Sequence, residues 1–178
     1  MYKFLVLVLF VLSVGIFGWT MHTYATSGEE VTSRPLSGQS GEEVIVGLHK
    51  SMSPVRVIFN VKSEIHVLNS TNPAYKYDVK LLDPVGTVVG FEERTQSEKK
   101  SDQGSSFEKN DQNHIITTVN VEIDGDYRLQ WKVSPKKAKI TGLGFSIRRN
   151  VEGMNIPFMV LAGLCFLLGW IVLFLGRR

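Results

Sequence analysis

The chain has 178 residues, 43% of them hydrophobic, and a formal net charge of +3. Lys3, Arg177 and Arg178 lie outside two apolar ends and account for this excess, so the stretch between them is neutral and gives no indication of nucleic-acid binding. The single cysteine, Cys165, excludes an intrachain disulfide and leaves the polar part of the chain without a thiolate for zinc binding or nucleophilic catalysis.

Residues 1–24 form the first apolar segment, with an unbroken run from Phe4 to Met21 behind Lys3. This length favours an N-terminal transmembrane helix or signal anchor, and Trp19 and Tyr24 suit a membrane interface. The small residues of Thr23-Tyr24-Ala25 leave a cleaved signal peptide as the alternative. In both cases the positive residues at the outer ends predict cytoplasmic termini and an extracytoplasmic middle domain.

Two polar stretches are predicted to lie outside regular structure. Residues 25–41 are rich in Ser, Gly, Thr and Glu and contain Arg34-Pro35, which is typical of a flexible tether. The segment from Glu92 to Gln112 is dominated by charged residues, Ser and Gln, so we expect a solvated loop or a recognition loop.

Residues 42–150 alternate apolar and polar side chains, the pattern of half-buried strands. In one strand Tyr127, Leu129, Trp131 and Val133 are expected to face the core, whereas His114 is expected to face outward in another. Turn residues separate these segments, so the sequence predicts an all-β antiparallel sandwich of about eight strands between an N-terminal and a C-terminal transmembrane helix. The predicted strands are Val44 to Leu48, Val55 to Val61, Ile65 to Leu68, Tyr75 to Leu81, Val85 to Phe91, Ile115 to Ile123, Tyr127 to Val133 and Leu143 to Ile147.

The second apolar segment, residues 154–176, contains no charge and is long enough for a transmembrane helix, with residues 177–178 as a basic cytoplasmic end. Gly163, Cys165 and Gly169 are small enough to let another helix approach closely. The sequence therefore predicts either close packing of this helix against other membrane helices or a single anchor that faces lipid.

No nucleophile elbow, phosphate-binding loop or dinucleotide fingerprint occurs, so we expect neither an enzyme nor a bound cofactor. His49 and Met52 are the strongest metal candidates, because imidazole and thioether ligands suit copper. Their alternative interpretation is as ordinary residues of a loop between strands. Asn69 begins a glycosylation sequon, Asn69-Ser70-Thr71, which matters only where the organism glycosylates.

The run from Tyr77 to Gly86, followed by a polar stretch, the segment Gly125 to Leu129 and one C-terminal apolar helix with a short basic tail, resembles the GOLD-domain proteins of the p24 type. This resemblance implies a lumenal β-sandwich that takes part in cargo selection and vesicle traffic. The chain departs from that family in lacking its paired cysteines and a heptad-bearing segment before the membrane helix.

The sequence thus favours a non-catalytic, membrane-anchored interaction module, an accessory or assembly subunit of a larger membrane protein complex. Its expected partners are other integral membrane proteins and the lipid bilayer, and not nucleic acid. Two alternatives remain: a copper or small-ligand carrier that uses His49 and Met52, and a p24-like cargo or trafficking receptor.

Overall fold

The structure is a computed structural model that describes residues 2–66, 73–97 and 107–176. It divides into a helical unit, formed by the two ends of the chain, and a β unit that runs from Glu29 to Val151. The elements are α1 (Tyr2–Thr26), β1 (Glu29–Leu36), β2 (Ser40–Leu48), a short 3-10 helix (Lys50–Met52), β3 (Val55–His66), β4 (Pro73–Leu82), β5 (Val88–Ser97), β6 (Phe107–Val119), β7 (Gly125–Pro135), β8 (Ala138–Arg149) and α2 (Ile156–Leu175).

The β unit is a sandwich of two antiparallel sheets, with strand order β1-β8-β3-β6 in sheet A and β2-β7-β4-β5 in sheet B. The described strands pair from the outside of the sequence inward, β1 with β8, β2 with β7, β3 with β6 and β4 with β5. The β part of the chain is therefore one long hairpin that folds over itself, the arrangement of a jelly roll. The predicted fold class is confirmed.

The pairing of the first strand with the last brings the two connections to the helices together. Glu29 lies opposite Arg149, and their carboxylate and guanidinium groups are 2.6 Å apart. The backbone N–H of Val151 donates to the carbonyl of Pro54, 3.1 Å away, which fixes the chain as it leaves β8. Both connections consequently leave the sandwich from the same end of sheet A.

The core lies between the sheets and is built from the alternating residues that the sequence predicts. Tyr127, Leu129, Trp131 and Val133 are all buried. The Trp131 ring lies against the backbone of Gly41, where a Cβ atom would come within 2.7 Å of Cζ2. Its indole N–H donates to the Gly38 carbonyl at 3.4 Å. Trp131 thereby joins β7 to the edge strand β2.

The predicted tether at residues 25–41 is wrong for most of its length, because residues 29–36 form β1 and β2 begins at Ser40. β1 is an edge strand that buries only Leu36 fully, so its composition stays polar although its backbone is paired with β8. Conversely, Ile65 does not begin a new strand but continues β3. The observed eight strands are therefore not the same eight that the sequence predicts.

The polar segment from Glu92 to Gln112 is also largely strand where it is described. β5 begins at Val88 and runs to Ser97, and β6 begins at Phe107, while residues 98–106 and the sequon at Asn69 lie outside the described residues. Cross-strand polar pairs replace apolar contacts here, among them the ion pair of Lys76 with Glu93. Where the segment is described, most of its charged residues therefore lie on the exposed faces of strands and do not mark a loop.

A bulge in β6 reverses the inward and outward faces of that strand. Val57 pairs with Thr117 and the next residue, Ile58, pairs with Ile115, so Ile116 is the extra residue. His114 and Ile116 are consequently buried, while Ile115 is 37% exposed. The prediction that His114 faces outward is wrong because a single inserted residue shifts the alternation.

Candidate functional site

The two helices pack against each other as an antiparallel pair. The Ser13 hydroxyl donates to the Ala162 carbonyl at 2.8 Å, and Phe10, one turn earlier in α1, meets Phe166 and Trp170 further along α2. Both helices are long and apolar enough to cross a membrane. Because they run in opposite directions, the outer ends of α1 and α2 lie at the same end of the helical unit.

The three predicted packing residues of α2 have different surroundings. A Cβ atom at Gly169 would lie 3.2 Å from the Phe10 ring, so this glycine lets α1 approach closely. Gly163 has no atom within 4 Å of its Cβ position. Cys165 is a free, half-buried thiol. The helix that packs on Gly169 thus belongs to the same chain, and Gly163 is left open.

The outer surface of the helix pair is apolar and carries a groove of about 450 Å³. The groove runs between α1 and α2, and Gly15 of α1 lines it. A Cβ atom placed on Gly15 would meet no other atom within 4 Å. Its lining residues are Val11, Leu12, Gly15, Ile16, Trp19, Phe158 and Leu161. This mostly apolar surface can accept acyl chains or another apolar helix.

His49 and Met52 lie in the connection between β2 and β3 but have different neighbours. His49 Nδ1 is 4.0 Å from Asp124 Oδ2, and the other carboxylate oxygen of Asp124 accepts the backbone N–H of Lys50 at 2.7 Å. The Met52 side chain instead packs against the hydrophobic core. Among the described residues, no cluster of three or more His, Cys, Asp or Glu side chains could hold a metal ion.

A buried polar cluster that the sequence does not predict lies between β4, β5 and β6. The Tyr75 hydroxyl is 2.9 Å from His114 Nε2, and the Tyr77 ring is 4.7 Å from the imidazole. Burial, aided by the positive charge of Arg94, lowers the pKa of His114 from 6.5 to about 4. Burial and the neighbouring Glu92 raise the pKa of Tyr77. Both groups are therefore neutral near pH 7, and His114 is hydrogen-bonded to Tyr75 in the core.

A polar groove of about 430 Å³ crosses the outer face of sheet A. Its central amide, Asn60, donates to Asp111 at 2.6 Å and to Asn113 at 2.7 Å, and Asp111 also lies 3.5 Å from Lys62. The charges of Lys62 and Asp111 offset each other, and both side chains are exposed to water, while Asn60 is partly exposed. The groove has the hydrogen-bonding character of an ordinary solvated strand face.

The chain matches no family model and no curated protein. Among solved structures it is similar to dimeric latent PorU from Porphyromonas gingivalis, with a TM-score of 0.34 and 12% identity over 70% of this chain and 11% of that chain. It is also similar to the infectious bursal disease virus Gx strain structure, with a TM-score of 0.32 and 10% identity over 76% of this chain and 32% of that chain. This chain therefore spans a third or less of the length of either protein.

Proposed function

We propose that the protein is a non-catalytic, membrane-anchored interaction module, an accessory or assembly subunit of a larger membrane protein complex. In this proposal both helices cross the bilayer, both termini lie in the cytoplasm and the sandwich lies on the extracytoplasmic side. The antiparallel pairing of α1 and α2 carries the proposal, because two antiparallel spans put Lys3 and the basic C-terminal end on one side of the membrane.

The surface that would receive a partner is the open face of the helix pair. Helices associate in lipid through close packing, which small residues permit. Gly169 is already occupied by Phe10, but Gly15 and Gly163 are open at their Cβ positions and so expose backbone to a neighbouring helix. We infer that a partner's membrane helix packs against these open glycines; Gly15 lies in the 450 Å³ groove, whereas Gly163 lies outside the residues that line it.

The environment of the polar residues supports an interaction role over a carrier role. His49 has an exposed carboxylate beside it, whereas the Met52 side chain packs against the hydrophobic core, so the two residues do not share one environment as a copper site requires. The buried His114 has its hydrogen-bonding partner in Tyr75. These environments favour a sandwich that binds a partner protein through its surface over one that carries a metal ion.

A matched pair of glycine substitutions tests the proposal. Gly163→Leu adds a side chain where the chain itself has no atom, so we expect a normal thermal transition but reduced co-purification of partner proteins from mild detergent. Gly169→Leu meets Phe10 and should lower the stability of the helix pair. Full partner recovery with both Gly163→Leu and Gly15→Leu would remove the basis for helix docking.

Topology is measured on a Cys165→Ala background with Lys136→Cys, which places a thiol in the turn between β7 and β8. A membrane-impermeant maleimide should label it from the extracytoplasmic side only. Labelling only from the cytoplasmic side would contradict the proposed orientation. The double variant His49→Ala, Met52→Ala should keep its partners, whereas a copper carrier would lose bound copper and function.

A further inference from the structure

The exposed apolar side chains of the sandwich are concentrated in one half of it. We call the end at which β1 begins and β8 ends the connection end; the turn at residues 83–87 and the segment 120–124 lie at the same end. At this end Val85 is 72% exposed, Val88 51% and Ile123 41%. Across the described residues of the sandwich, the other large exposed apolar side chains also lie in this half: Val44, Val89, Phe91 and Ile115.

The turn that carries Val85 is rigid. One carboxylate oxygen of Asp83 accepts the backbone N–H groups of Val85 at 3.0 Å and Thr87 at 2.7 Å. The Asp83 carbonyl accepts the N–H of Gly86, whose φ of +91° requires glycine, and the Asp83 N–H donates to the Thr87 carbonyl. Val85 is therefore held at the tip of an ordered turn, so binding of this residue to a partner surface would cost little further conformational entropy.

The second apolar tip, Ile123, lies beside this turn. A groove of about 320 Å³ is lined by Asp83, Val89, Val119, Asn120, Glu122, Ile123 and Tyr127, so residues of both tips share one surface. Gly125 touches Pro84 closely, with its Cβ position 2.9 Å from Pro84 Cγ, and the Tyr127 hydroxyl donates to the Ile123 carbonyl at 3.1 Å. The two tips form a single braced apolar surface.

The connections between the helices and the sandwich are short. Only Ser27 and Gly28 separate α1 from β1, and residues 152–155 separate Val151 from α2. Fully extended, these connections reach at most roughly 11 Å and 18 Å. The backbone N–H of Glu152 also donates to the Ser27 hydroxyl at 3.0 Å, which ties the two connections together. Sheet A is only about 14 Å wide from its first to its fourth strand, and packed sheets lie about 10 Å apart, so Val85 and Ile123 lie within roughly one sandwich width of the points where the chain enters β1 and leaves β8.

We propose that the connection end is a lipid-contact surface, with Val85, Val88 and Ile123 in the interfacial region of the bilayer. This inference rests on the proposed function, since it requires that α1 and α2 cross the membrane. Charged groups of both signs border the surface, including Asp124, with its pairing to His49, and the Glu29–Arg149 pair. Contact therefore depends on apolar burial and should not need anionic lipid.

Fluorescence of a labelled thiol tests the inference in proteoliposomes of phosphatidylcholine. On the Cys165→Ala background, Val85→Cys and, as a matched control at the opposite end of the sandwich, Lys136→Cys are each labelled with a nitrobenzoxadiazole dye. We expect a blue-shifted emission at residue 85, severalfold weaker quenching by aqueous iodide than at residue 136, and strong quenching by a nitroxide attached to the lipid. Thermal unfolding of both variants confirms that each is folded.

Each other outcome has a distinct meaning. Equal iodide quenching at both positions, in protein that resists alkaline carbonate extraction, overturns the lipid contact and leaves the membrane-anchored function standing. Protection of residue 85 from iodide without quenching by the lipid nitroxide also overturns it, because copies of the protein would then cover the surface. Release of the protein by alkaline carbonate contradicts the proposed function itself.

Discussion

The buried imidazole of His114 should make the stability of the sandwich depend on pH. The side chain is 7% exposed, and burial lowers its pKa from 6.5 to about 4. Between these two values the unfolded chain binds a proton at His114 and the folded chain does not, so acid favours unfolding. The stability that the neutral imidazole allows is therefore fully present above about pH 6.5 and is lost as the pH falls toward about 4.

The difference between the two pKa values sets the magnitude. At about 1.4 kcal/mol per pKa unit, the loss between pH 7 and pH 4 approaches roughly 3 kcal/mol, a large fraction of the 5–15 kcal/mol stability of a typical domain. Tyr77 beside the imidazole stays protonated throughout this range, because burial raises its pKa.

His114→Gln removes the titration and keeps a polar group beside Tyr75. We expect the free energy of unfolding of the wild type, measured by chemical denaturation of the full chain in mild detergent, to fall by about 2–3 kcal/mol more than that of the variant between pH 7 and pH 4. Glu93, whose pKa the Lys76 pair lowers, also loses its contribution in acid, but it does so in both proteins. Parallel pH profiles of the two proteins would refute the burial of a neutral imidazole.

Two packing predictions can be checked by thermal or chemical unfolding. Trp131→Ala should cost about 3–5 kcal/mol, because the ring fills the core between β7 and Gly41, and an unchanged transition would show that the strand register is wrong. Gly90→Ala should cost about 1–3 kcal/mol, since the added methyl would lie 2.4 Å from Thr117 Cγ2. Gly142→Ala is its control, because the nearest atom would be 3.5 Å away, and equal losses in the two variants would contradict this account of β5 and β6.

Much of this fold can be predicted from the sequence, because it depends on the hydrophobicity and spacing of individual side chains. The alternation from Tyr127 to Val133 predicts both a strand and its buried face, since each side chain carries its own free energy of transfer from water. The apolar segment at residues 154–176 likewise predicts α2 to within two residues of its observed bounds, Ile156–Leu175. Such properties need no knowledge of the partner strand or helix.

Candidate sites are harder to predict from the sequence, because they depend on residues that become neighbours only in the folded chain. The small residues of α2 indicate that a helix can approach, but only the structure shows that Phe10 of α1 occupies Gly169 while Gly163 stays open. The sequence around His114 shows only the alternation of an ordinary strand. Its burial follows from one extra residue at Ile116, and no side-chain pattern near it distinguishes a bulge from a regular strand.

By itself the sequence determined two apolar segments and a β-rich middle, because hydrophobic length and period-two alternation are written in the side chains. The tertiary structure alone decided that β1 pairs with β8, and so that both connections leave from the end of the sandwich that also carries Val85 and Ile123. That pairing is made by backbone N–H and C=O groups, which every residue but proline carries alike. The polar composition of β1 therefore could not reveal its partner about a hundred residues further along the chain.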